Sequence, residues 1–176
     1  MKGVRRGAKL YVIDPRRTSS AAWADGWLGL EVGSDIALAN AIGREILVAG
    51  LANETFIAQA TAGFEAYRAG VEPYTLEYAE RETGVPAALI RDLAHTYAKA
   101  DRAMICWTLG ITEHHNAVDN VVALINIPSE SRSSVAYWKL ALCIGTASHF
   151  CVTFGASVGG EPTGNTAVPA PSQTRI

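Results

Sequence analysis

Apolar positions recur along this chain in two modes, uninterrupted short runs and stripes at helical spacing. Residues 10–13 (Leu-Tyr-Val-Ile) form a run without a polar interruption, as does the stretch from Ala103 to Thr108. Runs of this length suit strands buried on both faces of a parallel sheet. Pro15 closes the first of them, because it drives Asp14 to extended geometry and removes an N–H. Between the two runs Ile36, Ala39, Ile42 and Ile46 recur at helical spacing. They predict a helix over residues 35–49 with Ser34 as N-cap and Gly50 in a left-handed turn at its end. Further helices are expected after the caps Asn53 and Thr75, over 63–69, over 87–100 behind Pro86, and over 116–127. A turn of helix over 19–24 and a short strand over 27–31 complete the reading.

Strand, helices and strand again in this order give an α/β fold: a parallel-sheet layer of dinucleotide-binding, Rossmann-like type, with helices on both faces. The layer is incomplete. Such a fold places its first strand and phosphate loop before the element that residues 9–13 resemble, and only Met1 to Gly7 stand there. Two divisions are expected, residues 1–127 as a partial α/β cofactor-binding domain and 128–176 as an atypical tail. The Gly, Pro, Thr and Ser content beyond Gly155 is that of a flexible end, and residues 128–176 are expected to lie outside the cooperative core.

Composition narrows the function. With 176 residues, an apolar fraction of 49% and a net charge of -2, the chain can bury a core. It has no basic footprint for nucleic acid. Cys106, Cys143 and Cys151 are too widely spaced for a zinc or iron–sulfur site, and they read as reduced, cytoplasmic thiols. No apolar run is long enough to span a membrane. His114 and His115 are adjacent, a spacing that rarely serves one metal ion, and Cys106 has no base in register for nucleophilic work. His95 is expected at the surface or as a cap, and Glu77, Glu80 and Glu82 as a solvated face.

Three loops carry the candidate chemistry: Asp14, Pro15, Arg16, Arg17 and Thr18; Gly33, Ser34 and Asp35; and Leu109, Gly110 and Glu113. Parallel strands bring such turns to one carboxyl edge, where nucleotides bind in open α/β sheets. Carboxylates there accept from a ribose or from the N–H edge of guanine, and Arg and Thr donate to phosphate, ribose or a base carbonyl. Gly110 is expected to turn the backbone close to the sheet end. The bland alternative makes Asp14 to Arg17 a solvated turn and Asp35 a helix-dipole partner.

The Asp14-Pro15-Arg16-Arg17-Thr18 turn followed by Gly33-Ser34-Asp35 resembles the molybdopterin guanine dinucleotide enzymes, the bacterial molybdenum or tungsten oxidoreductases. The resemblance continues through Gly63-Phe64-Glu65, Thr83-Gly84-Val85-Pro86 and Gly110-Ile111-Thr112-Glu113-His114-His115, and is nearest to formate dehydrogenase catalytic chains. It implies that the first two loops hold the guanosine part of the cofactor and that residues 109–113 approach the pterin. At that loop the family reads Met-Gly-x-x-Gln; here Leu109 and Glu113 stand at the ends. The resemblance fades after Ile127. It further implies that the metal ligand and iron–sulfur cysteines lie outside this chain, in the remainder of a catalytic chain, and that this chain alone is inactive. A non-catalytic nucleotide-binding or interaction module using the same edge is the alternative.

Overall fold

A computed structural model describes residues 7–130 and 150–155. The elements follow in the order β1 (Lys9–Ile13), a 3-10 turn (Ala21–Trp23), β2 (Gly26–Leu28), α1 (Asp35–Val48), α2 (Glu54–Ala60), α3 (Phe64–Val71), α4 (Leu76–Thr83), α5 (Ala87–Lys99), β3 (Arg102–Trp107), α6 (Leu109–Thr112), α7 (Ala117–Glu130) and β4 (Phe150–Gly155). The fold is α/β, with a four-stranded sheet in the order β2-β1-β4-β3.

β1 and β2 pair in parallel, with Ile13 opposite Leu28. β4 runs antiparallel to both β1 and β3. Hence β1, β2 and β3 all point the same way, and their carboxyl ends lie along one edge. The expected sheet was wholly parallel, and the expected tail lay outside the core. Phe150–Gly155 departs from both, since it threads between β1 and β3 as an antiparallel strand. Its sequence, Phe-Cys-Val-Thr-Phe-Gly, is aromatic and β-branched, which suits a pleated strand flanked on both sides. The remainder of the tail, 131–149 and 156–176, is outside the described residues. α7 itself passes the expected boundary at 127.

The sheet buries its faces unequally. Tyr11, Ile13, Leu28, Ala103 and Ile105 face one large core shared with Leu38, Ile42 and Ile46 of α1, Ile90, Leu93 and Tyr97 of α5, and Leu124 and Ile127 of α7. On the other face Leu10 and Val12 meet Ala21, Ala24 and Trp27. Helices on both faces were expected. Among the described residues the second face is covered by the 3-10 turn and the Trp27 ring, a much thinner layer.

The helix ends follow the capping chemistry in two of three cases. Asn53 Oδ1 accepts from Phe56 N at 3.1 Å and Thr75 Oγ1 from Tyr78 N at 3.1 Å. Ser34 precedes α1, yet its hydroxyl makes no cap bond; it donates instead to the Glu31 carbonyl at 2.6 Å. Gly50 ends α1 at φ 64°, as its sequence position suggested. Glu77, Glu80 and Glu82 are exposed. His95 is tied down more firmly than expected, its Nε2 lying 3.0 Å from Glu45 Oε1, which also accepts from Arg91 Nε at 3.2 Å.

Two polar clasps register β1. Asp25 accepts from Leu10 N at 2.9 Å and from Lys9 Nζ at 3.1 Å. The Leu10 N–H, followed by Lys9, holds its carboxyl below the usual value against the opposing effect of desolvation. A group depressed on folding contributes stability above its unfolded pKa and loses it as pH falls through the folded one. Urea midpoints measured from neutral into the carboxylate range should therefore fall with acid, and Asp25→Ala should flatten that slope.

Tyr11 supplies the second clasp. Its hydroxyl donates to Asp92 Oδ2 at 2.6 Å, and burial, then the Asp92 carboxylate, push its pKa up. The ring lies so close to Gly26 that a Cβ built there would sit 2.7 Å from it. Tyr11→Phe keeps the ring and removes the bond to Asp92, so a loss of about 1 kcal/mol in denaturant unfolding is expected.

Candidate functional site at the carboxyl edge of the sheet

The edge is built from three strand ends. Ile13 and Trp107 are both register partners of Phe150, so the residues that follow them, Asp14 and Thr108, leave the sheet at the same level. From β2 the chain passes through Glu31, whose N–H bonds the Thr83 carbonyl at 2.9 Å, and reaches Asp35 at the start of α1.

Asp14 is fully buried, 0% exposed. Its Oδ1 accepts from Arg16 N at 2.8 Å, closing the turn around Pro15 in the manner of an Asx turn. Its backbone is clasped on both sides, N–H to the Leu28 carbonyl at 3.2 Å and C=O from Trp27 Nε1 at 3.0 Å. Its Oδ2 is buried without a hydrogen-bond partner, and so is the hydroxyl of Thr18. A buried carboxylate oxygen left unmatched costs on the order of 1–3 kcal/mol, more when charged. Arg16 and Arg17 are exposed, and the Arg17 guanidinium carbon stands 5.6 Å from the centroid of the Trp27 ring. The Arg17 cation is thus held beside the turn by the Trp27 ring.

Gly33 takes φ 90°, and a Cβ built there meets nothing within 4 Å, so the requirement is for the backbone angle and not for space. Asp35 is buried at 2% in the first turn of α1, where a carboxylate suits the helix dipole. Gly33 and Ser34 open into a cleft of about 390 Å³ whose other walls include Tyr74, Tyr78 and Glu82. Neither Asp14 nor the 109–113 segment lines that cleft.

The third loop is helical. Leu109 is exposed, Gly110 and Ile111 are buried, and Glu113 is exposed with its N–H on the Leu109 carbonyl at 2.8 Å. Gly110 was expected to turn the backbone; it sits inside the short helix α6 without a positive φ. Asn120 holds that arrangement from α7, donating Nδ2 to the Ile111 carbonyl at 3.1 Å. Sequence reasoning placed Trp27 on the sheet face, where it packs against Leu10 and Val12, but passed over its bond to Asp14 and passed over Asn120. A polar residue amid the apolar positions of α7 was the only signal for Asn120, and none marked the Trp27 bond.

A model of the molybdopterin oxidoreductase family matches residues 1–148. The chain belongs to the molybdopterin oxidoreductase family. That match runs past Ile127, where the motif resemblance fades. Formate dehydrogenase H of Escherichia coli (strain K12) is 44% identical over 123 residues, 70% of this chain and 17% of the relative. The F420-dependent formate dehydrogenase subunit alpha of Methanocaldococcus jannaschii is 39% identical over 127 residues, 72% of this chain and 19% of the relative. Among solved structures, acetylene hydratase from Pelobacter acetylenicus superposes with TM-score 0.68 at 29% identity, over 75% of this chain and 18% of that one. The chain therefore spans less than a fifth of the length of these relatives. No helix among the described residues is long and apolar enough to cross a membrane.

Proposed function

We propose that the carboxyl edge of the sheet, a Rossmann-like layer, binds the guanosine end of molybdopterin guanine dinucleotide, as part of a molybdenum or tungsten oxidoreductase of formate dehydrogenase type. The observation that carries the reading is Asp14: one carboxylate oxygen satisfied inside its own turn, the other buried and unmatched. A ligand offering two adjacent N–H groups, as guanine does, or a ribose hydroxyl supplies what that oxygen lacks. Asp14 is covered from solvent, so the turn carrying it has to open for a ligand to reach Oδ2.

The residues present fit the group. Thr18 adds a second unmatched polar atom in the same turn, Arg16 and Arg17 add cations for phosphate, and Gly33 to Asp35 bring the amino end of α1, which favours anions. Leu109, Gly110 and Glu113 would face the pterin end; Glu113, when ionised, accepts but does not donate. When bound, the cofactor supplies a metal centre for two-electron chemistry. This chain's part is to grip, orient and charge-match it. The residues assigned to these contacts all lie within 1–127. The metal ligand, the iron–sulfur cysteines and the substrate pocket belong to other parts of a longer catalytic assembly, which we place in the cytoplasm.

Two measurements test this. Calorimetric titration should show GMP binding and AMP not. Expression in a host that makes the cofactor should yield chain carrying pterin, read as its fluorescent oxidised product. Nucleotide without pterin would favour a non-catalytic nucleotide-binding module, and neither would sink the site. With formate and an artificial electron acceptor the pure chain should show no turnover above background.

A further inference from the structure

Asn120 stands where an apolar residue is expected. On α7 it opens the buried stripe Asn120, Ala123, Leu124 and Ile127, spaced i, i+3, i+4 and i+7, and it is itself only 2% exposed. Its Nδ2 donates to the Ile111 carbonyl at 3.1 Å, while its Oδ1 is buried with no hydrogen-bond partner. The net gain from one hydrogen bond is no larger than the penalty of one buried acceptor left unmatched. Stability alone therefore does not account for an amide at this position, where a leucine would extend the stripe.

What the amide fixes is α6. A single helical turn does not hold itself, since the cost of nucleation outweighs the few bonds it closes. In α6 these include Ile111 N to the Thr108 carbonyl at 3.2 Å and Glu113 N to the Leu109 carbonyl at 2.8 Å. Its orientation is set from outside, by the fully buried Ile111 on the core side and by the Asn120 bond to the backbone. Leu109 and Glu113 are thereby held exposed at the carboxyl edge, after a strand whose end is level with Asp14. We infer, on the reading that residues 109–113 face the pterin, that Asn120 is a positioning residue for that end of the cofactor. It touches no cofactor atom and sets where Leu109, Gly110 and Glu113 stand. Without the amide, the buried Ile111 carbonyl loses its donor from α7, and α6 regains one by turning out toward water. The guanosine end, built on Asp14 and Thr18, does not depend on this bond.

The full chain carrying Asn120→Leu, with Asn120→Ala beside it, is purified from a host that makes the cofactor and compared with the unmutated chain. Pterin retained through gel filtration is expected to fall about tenfold, the order of loss when a group that orients a ligating residue is removed. GMP affinity and the urea midpoint should stay near those of the unmutated chain, and amide exchange should lose its protection at residues 110–113 alone. A purely structural role would lower pterin, GMP affinity and midpoint together, and that pattern overturns the inference. Unchanged pterin, or unchanged exchange at residues 110–113, overturns it too while the proposed function stands. An unmutated chain that carries no pterin removes the reading of residues 109–113 and this role with it, whether or not GMP binds. Where Asn120→Leu fails to fold, Asn120→Ala removes the same bond without adding volume; failure of both makes the residue structural and ends the proposal.

Discussion

A chain ended after Glu130 is expected to lose cooperative unfolding, because β4 is the only register partner of β3 among the described residues and one of two partners of β1. Without it the backbone groups of β3 that β4 satisfies are left facing the core or water. Each buried group that stays unmatched costs about 1–3 kcal/mol, and a few of them equal the whole stability of a domain, about 5–15 kcal/mol. The alternative is informative. β1 and β3 run in the same direction, so β3 could move over and pair with β1, giving the all-parallel sheet that the order of elements suggests. Urea unfolding of the shortened chain followed by far-ultraviolet dichroism, with amide exchange at residues 102–107, separates the two. Broad, non-cooperative loss and fast exchange are expected. A sharp transition with slow exchange would mean that β3 has closed onto β1 and that β4 is dispensable.

What the sequence alone disclosed depended on whether the cause was local. β1 was legible because its apolar run stops at Pro15, and α1 because Ile42 and Ile46 repeat at helical spacing and Gly50 ends it. β4 was not, since Val135 to Phe154 offers no stripe and its pairing is set by strands more than forty residues earlier. Gly110 misled for a related reason: a glycine marks either a turn or a close approach, and only packing against α7 decides between them. At the site, the acids and the turn were visible at Asp14 and Asp35. Their support was not, because the Trp27 indole reaches the Asp14 carbonyl only through the pairing of Ile13 with Leu28. Ser34 makes no cap bond because its side chain is turned to the Glu31 carbonyl, a local contact that the sequence pattern does not announce.

Asp14→Ala is expected to weaken GMP binding by about 10- to 100-fold, the loss that accompanies removal of a charged hydrogen-bond partner. The variant also removes the bond from Arg16 N, and a looser turn alone would lower affinity for any nucleotide. Asp14→Asn separates these effects. Its carbonyl oxygen can still accept from Arg16 N, so the turn keeps its shape, while the amide presents N–H groups where the carboxylate had a lone pair. Against guanine's own N–H edge that is donor facing donor. GMP affinity should then fall as far as in Asp14→Ala while the urea midpoint stays near that of the unmutated chain, because the substitution also relieves an unmatched buried charge. Wild-type affinity in Asp14→Asn would move recognition away from this carboxylate, leaving it the role of holding the turn between β1 and the Trp27 ring.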